Sequence, residues 1–125
     1  MNRVQSYRDL RVWQVSMDLV ELIYEQTAAL PDEERYGLSS QMRRAAVSIP
    51  SNIAEGHTRT SSKEFLHYLS IAQASLAELE TQLEIAVRLN DLLPTELEPT
   101  FSLGQFLGKQ LYALRNAVRN KLTVP

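Results

Sequence analysis

Cysteine is absent from the 125 residues of this chain, so neither a disulfide framework nor a thiolate zinc site is available to it. That absence fits a reducing compartment without requiring one. Long apolar runs are missing as well. None approaches the ~20 residues needed to cross a bilayer. The opening segment MNRVQSYRDLRVW has no apolar core of a secretory signal, so a cytoplasmic protein without a membrane span is the expectation. Alternating β-branched runs and short hairpin turns do not occur, which leaves no strand to build a sheet from. The chain also lacks a glycine-rich phosphate loop, a G-x-S-x-G elbow and an H-E-x-x-H pair. No enzyme chemistry and no cofactor is expected.

What remains is one domain's worth of helix-forming sequence, residues 1–125, long enough to bury a core without metals or disulfides. The net charge is −2, but it is unevenly placed. Residues 1–34, 35–63, 64–98 and 99–125 carry −4, +4, −6 and +4 in turn. Such blocks let neighbouring helices attract one another, and they also allow a basic face opposite an acidic one.

Four helices account for the periodicity, at about 9–30, 38–55, 62–90 and 95–122. Asp9 is placed to cap the first, and Trp13, Met17, Val20 and Tyr24 follow the spacing of a buried stripe. Pro31 and the acids after it end that helix. The second starts after Gly37 and stops at Gly56. Pro50 lies inside it, pressing on the carbonyl of Ala46, with Ser48, Ser51 or Asn52 available for the released backbone groups. The small residues Ala45, Ala46, Ser48, Ser51 and Ala54 allow a second backbone close.

The third helix opens on a capping box, Ser61 with Glu64. Phe65, Leu69, Ala72, Leu76, Leu79, Leu83, Ala86 and Asn90 then repeat at spacings of four and three, a coiled-coil-like seam. A partial second stripe, Tyr68, Ile71, Ile85 and Leu89, lies about a hundred degrees round the same helix; it either widens the core face or meets another subunit, the second being the expectation. The fourth helix buries Leu103, Leu107, Leu111, Leu114 and Val118. Gly104 and Gly108 within it mark close packing. Short connections make neighbours antiparallel, which gives an all-α, up-down-up-down four-helix bundle.

Few residues can carry chemistry. Glu64 and His67 form an E-x-x-H, but di-iron bundles need two such motifs and two further glutamates. The other histidine, His57, falls at a loop, so no metal is expected. Arg43 and Arg44 have two readings. One pairs an arginine with Glu55, Glu80 or Glu84 to fix helix register, and spacing alone favours it. The other places them with Arg59 and Lys63 on a phosphate-binding surface. Arg115 and Arg119, four apart with Lys109 and Lys121 nearby, form a second basic face without an acid close in sequence. Only Tyr112 is near enough to stack on a base, so backbone contact is the better expectation than base readout.

Three segments together are long and unusual in composition: YRDLRVWQ at Tyr7–Gln14, YGLSSQMRRAAVSIPSNIAEG at Tyr36–Gly56, and FLHYLSIAQASLAELETQLEIA at Phe65–Ala86. With Leu30-Pro31 and the following acids, they resemble, from Tyr7 to about Leu93, the four-helix family of the protein encoded in intervening sequences of bacterial large-subunit ribosomal RNA. The resemblance implies a homopentamer. It extends to the accessory variability protein of diversity-generating retroelements, which partners a reverse transcriptase and binds nucleic acid through a positive surface. It carries over no catalytic residue. The function expected is a non-enzymatic, oligomeric accessory or scaffold protein, with RNA or DNA held on Arg115, Arg119, Arg59, Lys63, Arg43 and Arg44. The alternative is a scaffold for another protein that uses the acidic face and binds no nucleic acid.

Overall fold

The structure, a computed structural model, describes residues 4–34 and 37–123. Tyr36, the first residue of the long motif, lies outside the described residues. Four helices make up the fold: α1 (Arg11–Ala28), α2 (Leu38–His57), α3 (Ser62–Arg88) and α4 (Pro94–Thr123). Short 3-10 turns at Tyr7–Asp9 and Asp32–Glu34 precede α1 and α2. Among the described residues there is no strand, and no helix is long and apolar enough to cross a membrane.

Asp9 caps the turn before α1 rather than α1 itself. Its carboxylate accepts the backbone N–H groups of Gln5 at 2.9 Å and Ser6 at 3.2 Å, while Ser6 Oγ accepts from Arg8 N–H. Those two backbone donors hold the Asp9 carboxyl below its ordinary range. The buried face of α1 is Val12, Val15, Leu19, Ile23 and Thr27, with Met17 and Tyr24 exposed and Trp13 and Val20 half-buried. Two stripes of helical spacing run along α1 about a hundred degrees apart. The aliphatic one turns inward. The aromatic-rich one, expected in the core, borders a groove against α2.

Helix α2 continues through Pro50 and past Gly56 to His57, with Thr58 as its C-cap. Asn52 Nδ2 donates to the Ser48 carbonyl at 2.8 Å and to Ser48 Oγ at 2.9 Å. Ser48 Oγ in turn lies 2.8 Å from Ser75 Oγ on α3. The polar side chains around Pro50 therefore tie α2 to α3. Gly56 does not act as a stop; it is buried where α2 meets Phe65 and Tyr68.

Ser61 Oγ accepts from Glu64 N–H at 3.1 Å and starts α3 as its sequence requires. Leu69, Ala72, Leu76, Leu79, Leu83 and Ala86 are buried along the seam. Asn90, the last member of that repeat, is exposed at φ 61° and ends the helix instead. Asn90 N–H donates to Val87 O at 3.0 Å and Asp91 N–H to Ala86 O at 2.9 Å, the paired closure of a Schellman motif, with Leu92 buried behind it. In α4, Leu97, Thr100, Leu107, Leu111 and Val118 are buried, with Leu103 and Leu114 packed at the margin.

Each helix packs on the next in chain order, and α4 returns to α1. All four contribute fully buried side chains to one core, among them Leu19, Ile23, Met42, Ile49, Ile53, Leu79, Leu83 and Leu107. Burying one such side chain stabilises the fold by about 1.5–3 kcal/mol.

Candidate functional site

The six cations singled out by the sequence do not form one surface. Arg43 lies in the second turn of α2 and Arg59 beyond its C-cap Thr58; the fourteen positions from Arg43 to His57 alone span about 21 Å at 1.5 Å per residue. On the other side of the molecule, Arg115 Nη1 donates to Gln73 Oε1 at 2.8 Å. Gly108 lies against Leu76, and Gly104 against Leu76 and Glu80. Positions on α3 thus fall as those on α4 rise. Continued in that direction, the rest of α4, with Arg119 and Lys121, leads toward the start of α3, where Lys63 lies. Arg59 sits in the connection between α2 and α3. Lys63, Arg59, Arg115 and Arg119 share one end of the bundle, and Arg43 and Arg44 lie toward the other.

At the shared end, Arg59 Nη2 donates to Glu55 Oε1 at 3.0 Å and to the Tyr68 hydroxyl at 2.7 Å, and its guanidinium lies 5.0 Å from the Tyr68 ring centre. Tyr68 and then Glu55 hold the Arg59 pKa above its ordinary value. Arg115 bonds a neutral amide, and its buried Nε has no partner. Arg119 Nη1 donates to Asn116 Oδ1 at 3.1 Å. Lys63 is exposed. Among the described residues the ion pairs are Arg59 with Glu55 and Arg88 with Glu84. Among the described residues, five of the six candidate cations therefore have no carboxylate within ion-pair distance.

Arg43 pairs with none of the three glutamates considered for it. Its Nε donates to Thr27 Oγ1 at 2.7 Å, Nη2 reaches the Tyr24 carbonyl at 3.5 Å, and the guanidinium lies 4.5 Å from the Tyr24 ring centre. The partner surface is α1: adjacent helix positions point about a hundred degrees apart, and Arg43 is the one of the two that bonds α1. Arg44 stays exposed. The two line a cleft of about 850 Å³ with Tyr24, Thr27, Ser40 and Val47. Tyr24 and Thr27 were missed as site residues: Tyr24 was read into the core with the aromatic-rich stripe of α1, and nothing in the spacing joins Thr27 to Arg43.

The second stripe of α3 is also divided. Tyr68 is half-buried against Gly56 and Arg59, and Ile71 is half-buried. Ile85 and Leu89 remain 41% and 57% exposed, and Leu93 extends them at 58%. A further open strip comprises Met17, Tyr24 and Val47 along α1 and α2. Glu80, half-buried between α3 and α4, has its carboxyl pushed up by burial. His67 is exposed beside the Tyr68 ring, and among the described residues no three metal-binding side chains converge.

A protein of unknown function from Bacteroides thetaiotaomicron, assigned to the S23 ribosomal protein family, has a solved structure that matches this chain with a TM-score of 0.78. Its identity is 24%, and the match covers 84% of this chain and 95% of that one. At that identity the likeness establishes a shared fold. No curated protein matches the chain. Residues 8–113 match the model of the 23S rRNA-intervening sequence protein family, a span that takes in most of α4 beyond the three motif segments. With α1, α2, α3 and the long α2 motif inside that span, the chain belongs to the 23S rRNA-intervening sequence protein family.

Proposed function

We propose that this protein is a non-enzymatic, oligomeric accessory protein of the cytoplasm that holds the backbone of RNA or DNA on the basic end of its bundle. The observation that carries the reading is the set of cations there without a carboxylate partner among the described residues: Lys63, Arg115 and Arg119. Their acceptors are neutral amides or solvent, so the positive field persists and phosphate oxygens can compete for the donors. Arg59 contributes less, since Glu55 already faces it.

The bundle runs up-down-up-down in this reading. It is supported by contacts between late α1 and early α2 (Thr27 with Arg43), late α2 and early α3 (Gly56 with Tyr68), and late α4 and α3 (Arg115 with Gln73). The assembly is a homopentamer, with Ile85 and Leu89 in the subunit contact. Five modest basic patches on one ring add through avidity where a single patch binds weakly. A nucleic-acid-processing partner of the reverse-transcriptase kind fits such a ring. Anisotropy of a labelled RNA hairpin and a DNA duplex, titrated with protein at several salt concentrations, tests the reading; absence of binding at low salt removes it. A second reading is favoured by the open strip Ile85, Leu89 and Leu93 beside Glu84: a scaffold for another protein that uses this acidic face.

A further inference from the structure

We infer that the cleft between α1 and α2 at Arg43 and Arg44 is a binding site for a small phosphate monoester, of mononucleotide or sugar-phosphate size. It is separate from the basic end of the bundle and does not rest on nucleic-acid binding there.

The geometry of Arg43 is the first argument. Thr27 Oγ1 donates to the Ile23 carbonyl at 2.7 Å and accepts from Arg43 Nε at 2.7 Å, so the hydroxyl is committed in both directions. Arg43 Nη2 leans on the Tyr24 carbonyl, and the guanidinium plane is held against the Tyr24 ring. The orientation of the half-buried cation is thereby set from two sides. Its Nη1 edge has no acceptor among the described residues, and no carboxylate comes within ion-pair distance. A fixed guanidinium with a free edge is already arranged for a phosphate oxygen, and little rotamer entropy is lost on binding.

The rest of the cleft suits the same ligand. Arg44 lies at the rim with no partner, about a hundred degrees round α2 from Arg43, so wall and rim can approach one anion from two directions. Ser39 and Ser40 supply hydroxyls on the same wall. Among the described residues Asp32 is the single acid lining the cleft, and it bonds neither arginine. Two described cations against one carboxylate suit an anionic monoester. The N-terminus of α2 takes no part, because Glu34 Oε2 already accepts from Leu38 N–H at 3.3 Å. The volume, about 850 Å³, is that of a small-molecule site and far larger than an inorganic phosphate requires. Leu30, Pro31 and Val47 give the non-phosphate part of the ligand an apolar wall.

The test is a ¹H–¹⁵N NMR titration of the full chain with adenosine monophosphate and ribose 5-phosphate, with adenosine and inorganic phosphate as controls. The expected result is saturable shifts at the Ser39, Ser40 and Arg44 amides and at the Arg43 Nε–H for both esters, and none for adenosine. Tighter binding of adenosine monophosphate than of ribose 5-phosphate assigns the apolar wall to a base; equal binding assigns the site to sugar phosphates. Arg44 is exposed, so Arg44→Gln should fold normally and weaken the esters about tenfold or more. Arg119→Gln should leave them unchanged. The inference is overturned if no ester saturates, if inorganic phosphate binds as well as the esters, or if Arg119→Gln weakens them as much as Arg44→Gln. RNA binding at the basic end would survive Arg44→Gln, so loss of one reading does not imply loss of the other.

Discussion

Gly56 of α2 and Tyr68 of α3 meet so closely that a Cβ on Gly56 would lie 2.5 Å from the Cβ of Tyr68 and 3.2 Å from the Phe65 ring. Neither obstacle is the loose end of a flexible chain. The backbone of α2 can reach α3 here only because position 56 has no side chain, and that approach places the Tyr68 hydroxyl under Arg59. Gly56→Ala should therefore cost about 1–3 kcal/mol through overpacking, read as a lower denaturant midpoint. An unchanged midpoint would contradict the close-contact account.

Gly104 and Gly108 are the opposite case. A Cβ at Gly104 would sit 3.6 Å from Glu80 Oε2, and one at Gly108 would sit 3.5 Å from a Leu76 methyl. Those are ordinary contacts inside a helix, where glycine is about 1 kcal/mol less favourable than alanine. Gly108→Ala should raise stability by about 0.5–1 kcal/mol in thermal or denaturant unfolding.

Glu80 gives a pH-dependent test. Burial raises its folded carboxyl above the ordinary value, so folding penalises the charged form. Its contribution is most favourable below the unfolded pKa and declines as pH rises through the folded one. Glu80→Gln should raise the melting temperature near neutral pH, and the gain should vanish at about pH 3, where both carboxyls are protonated. A gain that is the same at both pH values would show that charge is not its source.

Ile85 separates assembly from folding. It is 41% exposed in the subunit, so a glutamate there adds no buried charge to the monomer. If the proposed oligomer uses this face, Ile85→Glu should yield a helical monomer, seen by light scattering together with circular dichroism. Ile71→Glu is a poorer probe because Ile71 is half-buried within its own subunit. An intact oligomer carrying Ile85→Glu would remove α3 from the interface.

The helices were legible because their signals are local. Ser61 caps α3, the four-and-three repeat from Leu69 to Ala86 turns inward, and Leu107 and Leu111 of α4 do the same. The errors arose where local rules allow two outcomes. On α1 two stripes have equivalent spacing, and packing against α2 and α4 decides that Leu19 and Ile23 are buried rather than Met17 and Tyr24. Asn90 continues the repeat by count but takes a left-handed backbone, which asparagine tolerates and a seam does not use. For the site, the sequence identified the cations but not their company. Arg43 joins Thr27 across a tertiary contact that no spacing rule specifies, and Gln73 meets Arg115 across 42 positions of chain.

The most direct test of the central claim is the salt dependence of RNA affinity for the wild-type protein and for the double variant Lys63→Gln, Arg119→Gln. Both side chains are exposed at the basic end, and neither forms an ion pair among the described residues. Phosphate tracking predicts a steep fall in affinity with salt for the wild type. In the variant it predicts weaker binding to every sequence and a log–log slope shallower by about 1 for each phosphate contact removed. An identical slope and affinity in the two proteins would contradict a phosphate surface at that end of the bundle.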